Sequence, residues 1–160
     1  LVTPIDQLPR YHCYLTKDKN RYQGEIYAMG MHATILKRIA KREEGYSYIP
    51  TDCLSENFKF WLTFLGLDDV VIVGMNFANF DLKFLELLNF TSIVKPHRRI
   101  LDVGSMFYRP IIDDKPPNLE ECLRRAGITK SVEHTAIADA IDVIQCIRYK
   151  NEKDYLPVEE

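Results

Sequence analysis

Two carboxylates and one histidine, Asp81, His134 and Asp139, stand where their side chains could do chemistry together. Asp81 follows the apolar run VVIV (70–73) and a short polar stretch, where a predicted strand gives way to a predicted helix. His134 and Asp139 lie in the segment EHTAIADA (133–140). Carboxylate oxygens are the ligands that hard divalent cations prefer, and histidine exchanges a proton near neutral pH. Such residues can activate a water molecule if the fold brings them to one site.

Each of these residues also has an ordinary structural interpretation. An aspartate at the start of a helix accepts hydrogen bonds from free amides, and Asn76 and Asn79 fit turn positions. His134 and Asp139 by themselves fit a capping histidine and a surface acid. Five helical residues turn through about 140°, so these two side chains share no face of one regular helix. Both can point at one site only if His134 precedes the helix and Asp139 lies in its first turns.

Periodicity and turn residues predict the elements that must position these side chains. The segments RYHCYL, VVIV and RRILDV predict strands at 10–15, 70–73 and 98–103, and VVIV is typical of a strand buried on both faces. Helical periodicity covers 24–45, 55–66, 80–88, 118–127 and 134–150. The expected N-caps are Ser55 and Asn118, and the expected helix ends are Gly45, Gly66 and Gly127.

Alternation of strands and helices indicates an α/β domain with a mainly parallel sheet. Such sheets bind ligands at the carboxyl ends of their strands, and Asp81 lies just past one such end. We expect one domain over residues 1–150 and a polar tail over 151–160. Asp102, which follows the strand RRILDV, is expected to cap the next helical turn, and Asp142 is expected to be a solvated acid.

Composition limits the class of protein. The chain has 160 residues, 46% apolar and 28% charged, which suits one globular domain. It contains neither an apolar run of about 18 residues nor a signal-peptide pattern. The net charge of −2 excludes a strongly basic surface but not a local basic groove for nucleic acid. Four scattered cysteines without a Cys-x-x-Cys pair favour a reduced, cytoplasmic protein with buried thiols.

Two segments together carry a family resemblance. NFANFDLKFL (76–85) and HTAIADA (134–140) resemble the second and third motifs of the DEDDh 3′–5′ exonucleases, the DnaQ-like and oligoribonuclease-like enzymes of the ribonuclease H-like superfamily. Asn76, Phe80 and Asp81 match the second motif, and His134 and Asp139 match the third, with Ala140 following. Met75 stands where many members have histidine, and the spacer has the longer form of the oligoribonuclease-like members. The resemblance covers roughly residues 70–148.

The resemblance implies a fold, a cofactor and a reaction. It implies a ribonuclease H-like mixed sheet flanked by helices, and a hydrolase that removes nucleotides from the 3′ ends of single-stranded DNA or RNA. Asp81 and Asp139 are then two of four carboxylate ligands to a pair of Mg²⁺ or Mn²⁺ ions, and His134 is the general base. Phe77 and Phe80 are candidate substrate contacts with Asn76, although core packing is the ordinary interpretation of Phe80. The implied partners do not include a membrane.

The first family motif, Asp-x-Glu on the central strand, is not found in the chain. No aspartate is followed by glutamate two positions later. RYHCYL resembles the family's third strand, and the chain begins with Leu1, so we expect that an N-terminal segment with the first two strands was removed or omitted. The chain as given is then expected to be hydrolytically inactive and less stable than an extended version. The alternative is a catalytically inactive homologue that binds nucleic acid or protein.

The remaining basic residues have two interpretations. The clusters LKRIAKR (36–42) and Arg98–Arg99 could follow the phosphates of a nucleic-acid strand. The ordinary interpretation of such charges is a solvated helix face. The sequence itself does not choose between DNA and RNA as substrate.

Overall fold

The structure is a computed structural model that describes residues 3–16, 33–67, 70–94, 97, 99–130 and 135–155, without the side chains of 153–155. These residues form four strands, β1 (Tyr14–Thr16), β2 (Tyr48–Pro50), β3 (Val73–Gly74) and β4 (Leu101–Asp102). They also form seven α-helices: α1 (Ala33–Lys41), α2 (Leu54–Phe64), α3 (Asp81–Glu86), α4 (Phe90–Val94), α5 (Val103–Phe107), α6 (Leu119–Arg125) and α7 (Ala136–Tyr155). The α/β class is confirmed, whereas a ribonuclease H-like sheet stays a prediction.

The chain divides into two compact units. The first contains Leu1–Leu8, Asp69–Leu85 and Pro96–Glu160, and the second contains Pro9–Asp68 and Glu86–Lys95. Each unit has one described sheet of two parallel strands, β3 with β4 in the first and β1 with β2 in the second. None of the helices in the described ranges is both long and apolar enough to cross a membrane.

Aromatic packing holds the second unit together. The ring of Phe58 on α2 lies 5.2 Å from that of Tyr11, 5.5 Å from that of Trp61 and 5.6 Å from that of Phe90 on α4, measured between centroids. Aromatic pairs at these separations add attraction beyond the apolar area that they bury. The second unit therefore has its own small core between α2, α4 and the segment before β1.

The predicted cap at Ser55 is wrong. Helix α2 begins one residue earlier, at Leu54, and Ser55 is 1% exposed. Its hydroxyl donates a 2.7 Å hydrogen bond to the carbonyl of Leu88 in the turn before α4. A serine can cap a helix, and it can also lie buried between two packed helices. Only the tertiary packing of α2 beside α4 decides which of the two roles Ser55 takes. The predicted end at Gly66 is confirmed, with a left-handed φ of +70°.

Strands and helices of the second unit are shorter than the periodicity indicated. Strand β1 starts at Tyr14 and not at Arg10, and α1 ends at Lys41 because Arg42 takes a left-handed φ of +52°, before the predicted end at Gly45. The part of the predicted helix 24–45 that precedes Ala33 lies outside the described residues. Strand β2 was not predicted, although the alternating aromatic residues after Gly45 are a strand signal.

Helices α5, α6 and α7 form the core of the first unit. The buried apolar residues of this core are Val103, Phe107, Leu119, Cys122, Leu123, Ala126, Val143 and Cys146. The predicted cap at Asn118 is confirmed: its Oδ1 accepts a 3.0 Å hydrogen bond from the amide of Glu121. Gly127 ends this helix with φ +73°, as expected. All four cysteines are free, with Cys122 and Cys146 buried and Cys13 and Cys53 partly exposed.

The expectation that VVIV is buried on both faces is wrong. Only Val73 of this run belongs to β3, and Val71 is 50% exposed. Strand β3 pairs with β4 through Val73 to Leu101 and Gly74 to Asp102, in a sheet of two strands within the described residues. A run of β-branched residues is buried on both faces only when neighbouring elements cover both, and the described elements do not cover Val71.

Asp142 is buried, which overturns its expected role as a solvated acid. Its residue exposure is 1%, and its Oδ1 forms an ion pair with the ammonium group of Lys130, whose side chain is 38% exposed. Asp142 and Lys130 join α7 to the segment that follows α6. A buried carboxylate without its cation is costly, so this pair constrains how the two segments pack.

Arg125 anchors the loop between α5 and α6. Its guanidinium donates hydrogen bonds of 2.7 and 2.6 Å to the carboxylate of Asp113, 2.7 Å to Glu121 and 2.8 Å to the carbonyl of Phe107. The side chains of Arg125 and Asp113 are each 10% exposed. Hydrogen bonds from Arg125 lower the pKa of Asp113 to about 2. Those from Arg124 and Arg125 lower the pKa of Glu121 to about 2.

We expect Lys130→Met to lower the free energy of unfolding by about 1–3 kcal/mol, because the Asp142 carboxylate stays buried without its cation. Urea denaturation followed by circular dichroism measures the change. The double variant Lys130→Met/Asp142→Leu should recover most of the loss, because it also removes the buried charge. Lys59→Met, at an exposed position, is the matched control. Equal stability of Lys130→Met and the parent would contradict this role for the ion pair.

We also expect acid to weaken the loop. The pKa of Asp113 is lower in the folded chain than in the unfolded chain, so its contribution is present above about pH 4 and is lost as the pH falls towards 2. In melting curves from pH 7 to pH 2.5, Asp113→Asn should melt below the parent at pH 7 and approach it in acid. The neighbouring variant Asp114→Asn should follow the parent throughout. Parallel curves for Asp113→Asn and the parent would refute the assignment.

Candidate active-site cavity

The turn between β3 and α3 sets the position of Asp81. Asn76 takes a left-handed φ of +54°, and its carbonyl accepts hydrogen bonds of 3.2 Å from the amide of Asn79 and 3.1 Å from that of Phe80. The Nδ2 of Asn79 donates a 3.0 Å bond to Oδ1 of Asn76. Asparagine tolerates left-handed backbone better than most residues, so both asparagines serve as turn residues. Asp81 is the first residue of α3 beyond this turn.

Gly74 allows the turn to fold back on β3. A Cβ atom built at Gly74 would lie 2.8 Å from Cβ of Phe77, closer than real Cβ contacts. Any larger residue at position 74 would push Phe77 away and shift the segment that carries Asp81. The glycine that ends the apolar run is therefore required by packing.

The start of α7 sets the position of Asp139. Helix α7 begins at Ala136, and Oγ1 of Thr135 accepts a 3.3 Å hydrogen bond from the amide of Ala138. The amide of Asp139 donates a 2.9 Å bond to the carbonyl of Thr135. Asp139 thus lies in the first turn of the helix, and its residue is partly buried. His134 lies outside the described residues.

Asp81 and Asp139 line one cavity of about 900 Å³ in the first unit, here called the Asp81 cavity. Phe77 and Phe80 line it as well, whereas Asn76 does not. Most of its wall is apolar and comes from α7, from β3 and from the residues just before β3: Val71, Val73, Val143, Ile144 and Ile147. The structure therefore brings two of the sequence-predicted carboxylates and both predicted phenylalanines to one concave site, from segments far apart in the chain.

Partial burial changes the chemistry of Asp81. Although Asp81 is exposed as a whole residue, burial of its carboxyl group raises the pKa, and a hydrogen bond to its own backbone amide opposes that rise. Loss of water from a carboxylate penalises the ionised form. A cation in the cavity would offset this penalty by restoring a charged partner to the carboxylate.

The two carboxylates have the oxygen ligands that Mg²⁺ or Mn²⁺ prefers, but they are only two of the four carboxylates that the resemblance implies. Hard divalent ions take oxygen ligands, which Asp81 and Asp139 offer in one cavity. Within the described ranges, no three His, Cys, Asp or Glu side chains are grouped so that they could hold a metal ion. Glu120, in the first turn of α6, also lines the cavity and was not among the predicted site residues. The one sequence signal for Glu120 is its position two residues after the Asn118 cap, in the first turn of a helix.

Phe80 is not a core residue, contrary to its ordinary interpretation. It is 59% exposed, and its ring meets that of Phe84 edge-on at 5.3 Å, with Phe84 itself 58% exposed. The pattern FDLKFL has helical spacing, which says that the two rings share a helix face but not which face is covered. The described residues leave this face open beside Asp81.

Asn76 and Asp102 line a different cavity of about 930 Å³, between the β4–α5 junction and the 108–118 loop. The predicted capping role of Asp102 is confirmed. Its Oδ1 accepts hydrogen bonds of 2.8 Å from the amide and 3.1 Å from the hydroxyl of Ser105. Its Oδ2 accepts a 2.5 Å bond from the amide of Asn76. Both oxygens are thus engaged in holding the turn.

Comparison with known proteins identifies no relative. No family model matches the chain, and no curated protein or solved structure is significantly similar to it. The geometry of the Asp81 cavity and the motif resemblance are therefore the basis for a functional interpretation.

We expect Asp81→Asn to raise the melting temperature in EDTA at pH 7. The amide keeps the shape of the side chain and removes an ionised group whose burial is unfavourable. Differential scanning calorimetry measures the shift. Asp114→Asn, at an exposed position, controls for the change in net charge. A lower melting temperature for Asp81→Asn than for that control would show that ionised Asp81 stabilises the fold.

Proposed function

We propose that this protein is a metal-dependent 3′–5′ exonuclease that hydrolyses phosphodiester bonds in single-stranded DNA or RNA. The observation that carries the proposal is that Asp81 and Asp139, from the two segments with the motif resemblance, line the same cavity. Asp81 follows the carboxyl end of β3, where parallel strands commonly present ligand-binding residues. The raised pKa of Asp81 also supports a site that a cation completes.

Each residue has a proposed role in the reaction. Asp81 and Asp139 would hold Mg²⁺ or Mn²⁺, which when bound in a pair lower the pKa of water and stabilise the leaving oxygen. His134 would accept the proton of the attacking water, because the pKa of histidine lies near neutral pH. Phe77 and Phe80 would contact bases or sugars at the mouth of the cavity, since aromatic rings stack on bases of any sequence. Asn76 would help to position Phe77 and Phe80 by stabilising the turn between β3 and α3.

A second candidate is a catalytically inactive module that binds nucleic acid or protein. The observation in its favour is that none of the aspartates of the chain stands in an Asp-x-Glu motif. Two carboxylates alone would hold a pair of divalent ions weakly. A binding module, however, has no use for two carboxylates beside an exposed aromatic pair, and this favours the enzyme.

The proposal predicts metal-dependent release of nucleotides from the 3′ end. In the protein expressed from its complete reading frame, a 5′-labelled single strand should shorten stepwise with Mn²⁺ and stay intact in EDTA. Asp81→Asn and Asp139→Asn should each abolish shortening, because each removes a charged oxygen ligand, whereas Asp114→Asn should not. Binding without hydrolysis by the parent protein would reject the enzyme and favour the inactive module.

We expect His134→Ala to lower turnover by about 10²–10⁴-fold, the usual range for loss of a general base. Single-strand affinity in EDTA should change little, because the proposed role is proton transfer and not binding. Single-turnover hydrolysis and fluorescence anisotropy measure the two effects separately. Turnover equal to that of the parent would exclude His134 as the base without excluding metal-dependent hydrolysis.

A further inference from the structure

One side of α1 in the second unit carries a concentration of positive charge. Helix α1 has no acidic residue, and Lys37, Arg38 and Lys41 are followed directly by Arg42. The apolar residues Ile35, Leu36 and Ile39 occupy the opposite side, with Ile39 4% exposed. Lys37 and Lys41 are four residues apart on the helix, so these two like charges neighbour each other, and Arg42 directly follows the end of the helix. This arrangement is unfavourable for the isolated chain and favours an anionic partner.

Arg38 is the structural member of this group. Its guanidinium donates hydrogen bonds of 2.9 Å to the hydroxyl of Tyr14 and 3.0 Å to Glu43, and it lies 4.5 Å from the ring centroid of Tyr46. Its charge is therefore balanced by Glu43 and by aromatic faces. Arg38 fixes the rings of Tyr14 and Tyr46 against α1.

The other three cations are available to a partner. Lys37, Lys41 and Arg42 are exposed, and none of them forms an ion pair with another described residue. The guanidinium of Arg42 lies 5.0 Å from the ring centroid of Tyr48. Because the whole chain has a net charge of −2, these charges are a local feature of α1.

A cluster of aromatic rings centred on Tyr14 lies next to Arg38 and Arg42. Tyr14 and Tyr48 are register partners across β1 and β2, with ring centroids 5.8 Å apart. The ring of Tyr46 lies 5.4 Å from that of Tyr14, and the ring of His12 lies 5.2 Å from it on centroid distances. Tyr46 is 40% exposed. Phosphate-binding cations next to exposed rings are the two components of single-strand binding surfaces.

Tyr48 ties the end of α1 to the turn that follows it. Its hydroxyl is shared between the carbonyl of Arg38 in α1, at 3.2 Å, and the carbonyl of Glu43 beyond the helix, at 3.1 Å. Arg42 is held in a left-handed conformation by this turn. A surface that is ordered before binding loses less conformational freedom when a partner binds.

We propose that the α1 patch, defined as Lys37, Lys41, Arg42 and Tyr46, is a binding surface for single-stranded nucleic acid. The three cations contact consecutive phosphates, and Tyr46 stacks on a base. The preference for nucleic acid over another polyanion rests on the cluster of rings around Tyr14 and on the proposed function. The patch lies outside the Asp81 cavity, so strand binding there needs neither metal nor hydrolysis.

The test is fluorescence anisotropy with an oligothymidylate of about 12 nucleotides in EDTA, where no metal-dependent hydrolysis takes place. Lys37→Gln/Lys41→Gln/Arg42→Gln should weaken binding by about 10- to 100-fold near 0.1 M salt. It should also reduce the slope of log affinity against log salt by about 2, since each phosphate contact contributes about 0.7. The control Lys59→Gln/Arg109→Gln/Lys115→Gln removes the same charge from exposed positions outside the patch and should change affinity by less than about threefold. Thermal melts establish that both variants are folded.

Three outcomes would overturn the inference. The first is that the parent chain does not bind the oligonucleotide. The second is that the two triple variants lose equal affinity, which would mean a net-charge effect. The third is that a polyglutamate peptide of equal charge competes as well as the oligonucleotide, which would identify an acidic protein segment as the partner. If the parent protein binds the oligonucleotide but shows no metal-dependent nuclease activity, the proposed enzyme is rejected and the inference about the α1 patch stands.

A second variant tests the base contact. Tyr46→Leu should weaken binding of oligothymidylate by about fivefold or more and leave binding of an abasic strand of equal length unchanged, because only the first can stack. Tyr108→Leu, in the first unit, is the matched control. Equal losses of affinity for both strands would reject stacking at Tyr46.

Discussion

The carboxylate of Asp102 joins the carboxyl ends of β3 and β4, and the geometry of the first unit depends on it. One oxygen caps α5 through Ser105, and the other accepts a hydrogen bond from the amide of Asn76. The register of the two strands places Asp102 beside Gly74, the last residue of β3 before the turn to α3. Because a sheet of two strands has little stability by itself, side-chain bonds across its end matter more than in a large sheet. Asp102 therefore stabilises the turn between β3 and Asp81 through its hydrogen bond with the amide of Asn76.

The Asp81 cavity combines two opposing requirements. Its walls from β3 and α7 are apolar, which favours desolvation, while Asp81 and Asp139 offer negative charge. The raised pKa of Asp81 is the physical sign of this conflict. Sites that place charge in poorly hydrated surroundings usually give up stability for function, and the proposed cation would resolve the conflict here. The same surroundings make electrostatic interactions inside the cavity stronger than in water.

The two units would divide the work of a nuclease between chemistry and strand binding. The first unit offers carboxylates and aromatic rings within a concave site. The second offers exposed cations on and just after α1, next to tyrosines on or near β1 and β2. Binding of phosphates to exposed cations depends strongly on salt, whereas coordination by carboxylates depends on a metal ion. These different dependences allow the two surfaces to be studied separately.

Local hydrogen bonds were readable from the sequence. Asn118 caps α6, Asp102 caps α5 and Gly66 and Gly127 end their helices, because each interaction spans three or four residues and needs no other part of the chain. The presence of Asp81 at a strand end followed from the same local reasoning. The roles of Asp81, Asp139 and His134 in catalysis rest on the motif resemblance and stay predictions.

Burial and long-range pairing were decided by the tertiary structure alone. Asp142 has the type of a surface acid, but it is buried and paired with the partly exposed Lys130. Ser55 has the type of a cap, but its hydroxyl is buried and donates to the carbonyl of Leu88. Phe80 and Val71 are apolar residues of the kind that usually lies in a core, yet the described elements leave them exposed. The chemical type of a side chain determines which contacts it can make, but its burial depends on which distant elements cover it. The sequence by itself therefore determined the helix ends and the residue types available for chemistry, and only tertiary packing decided which of them share a cavity.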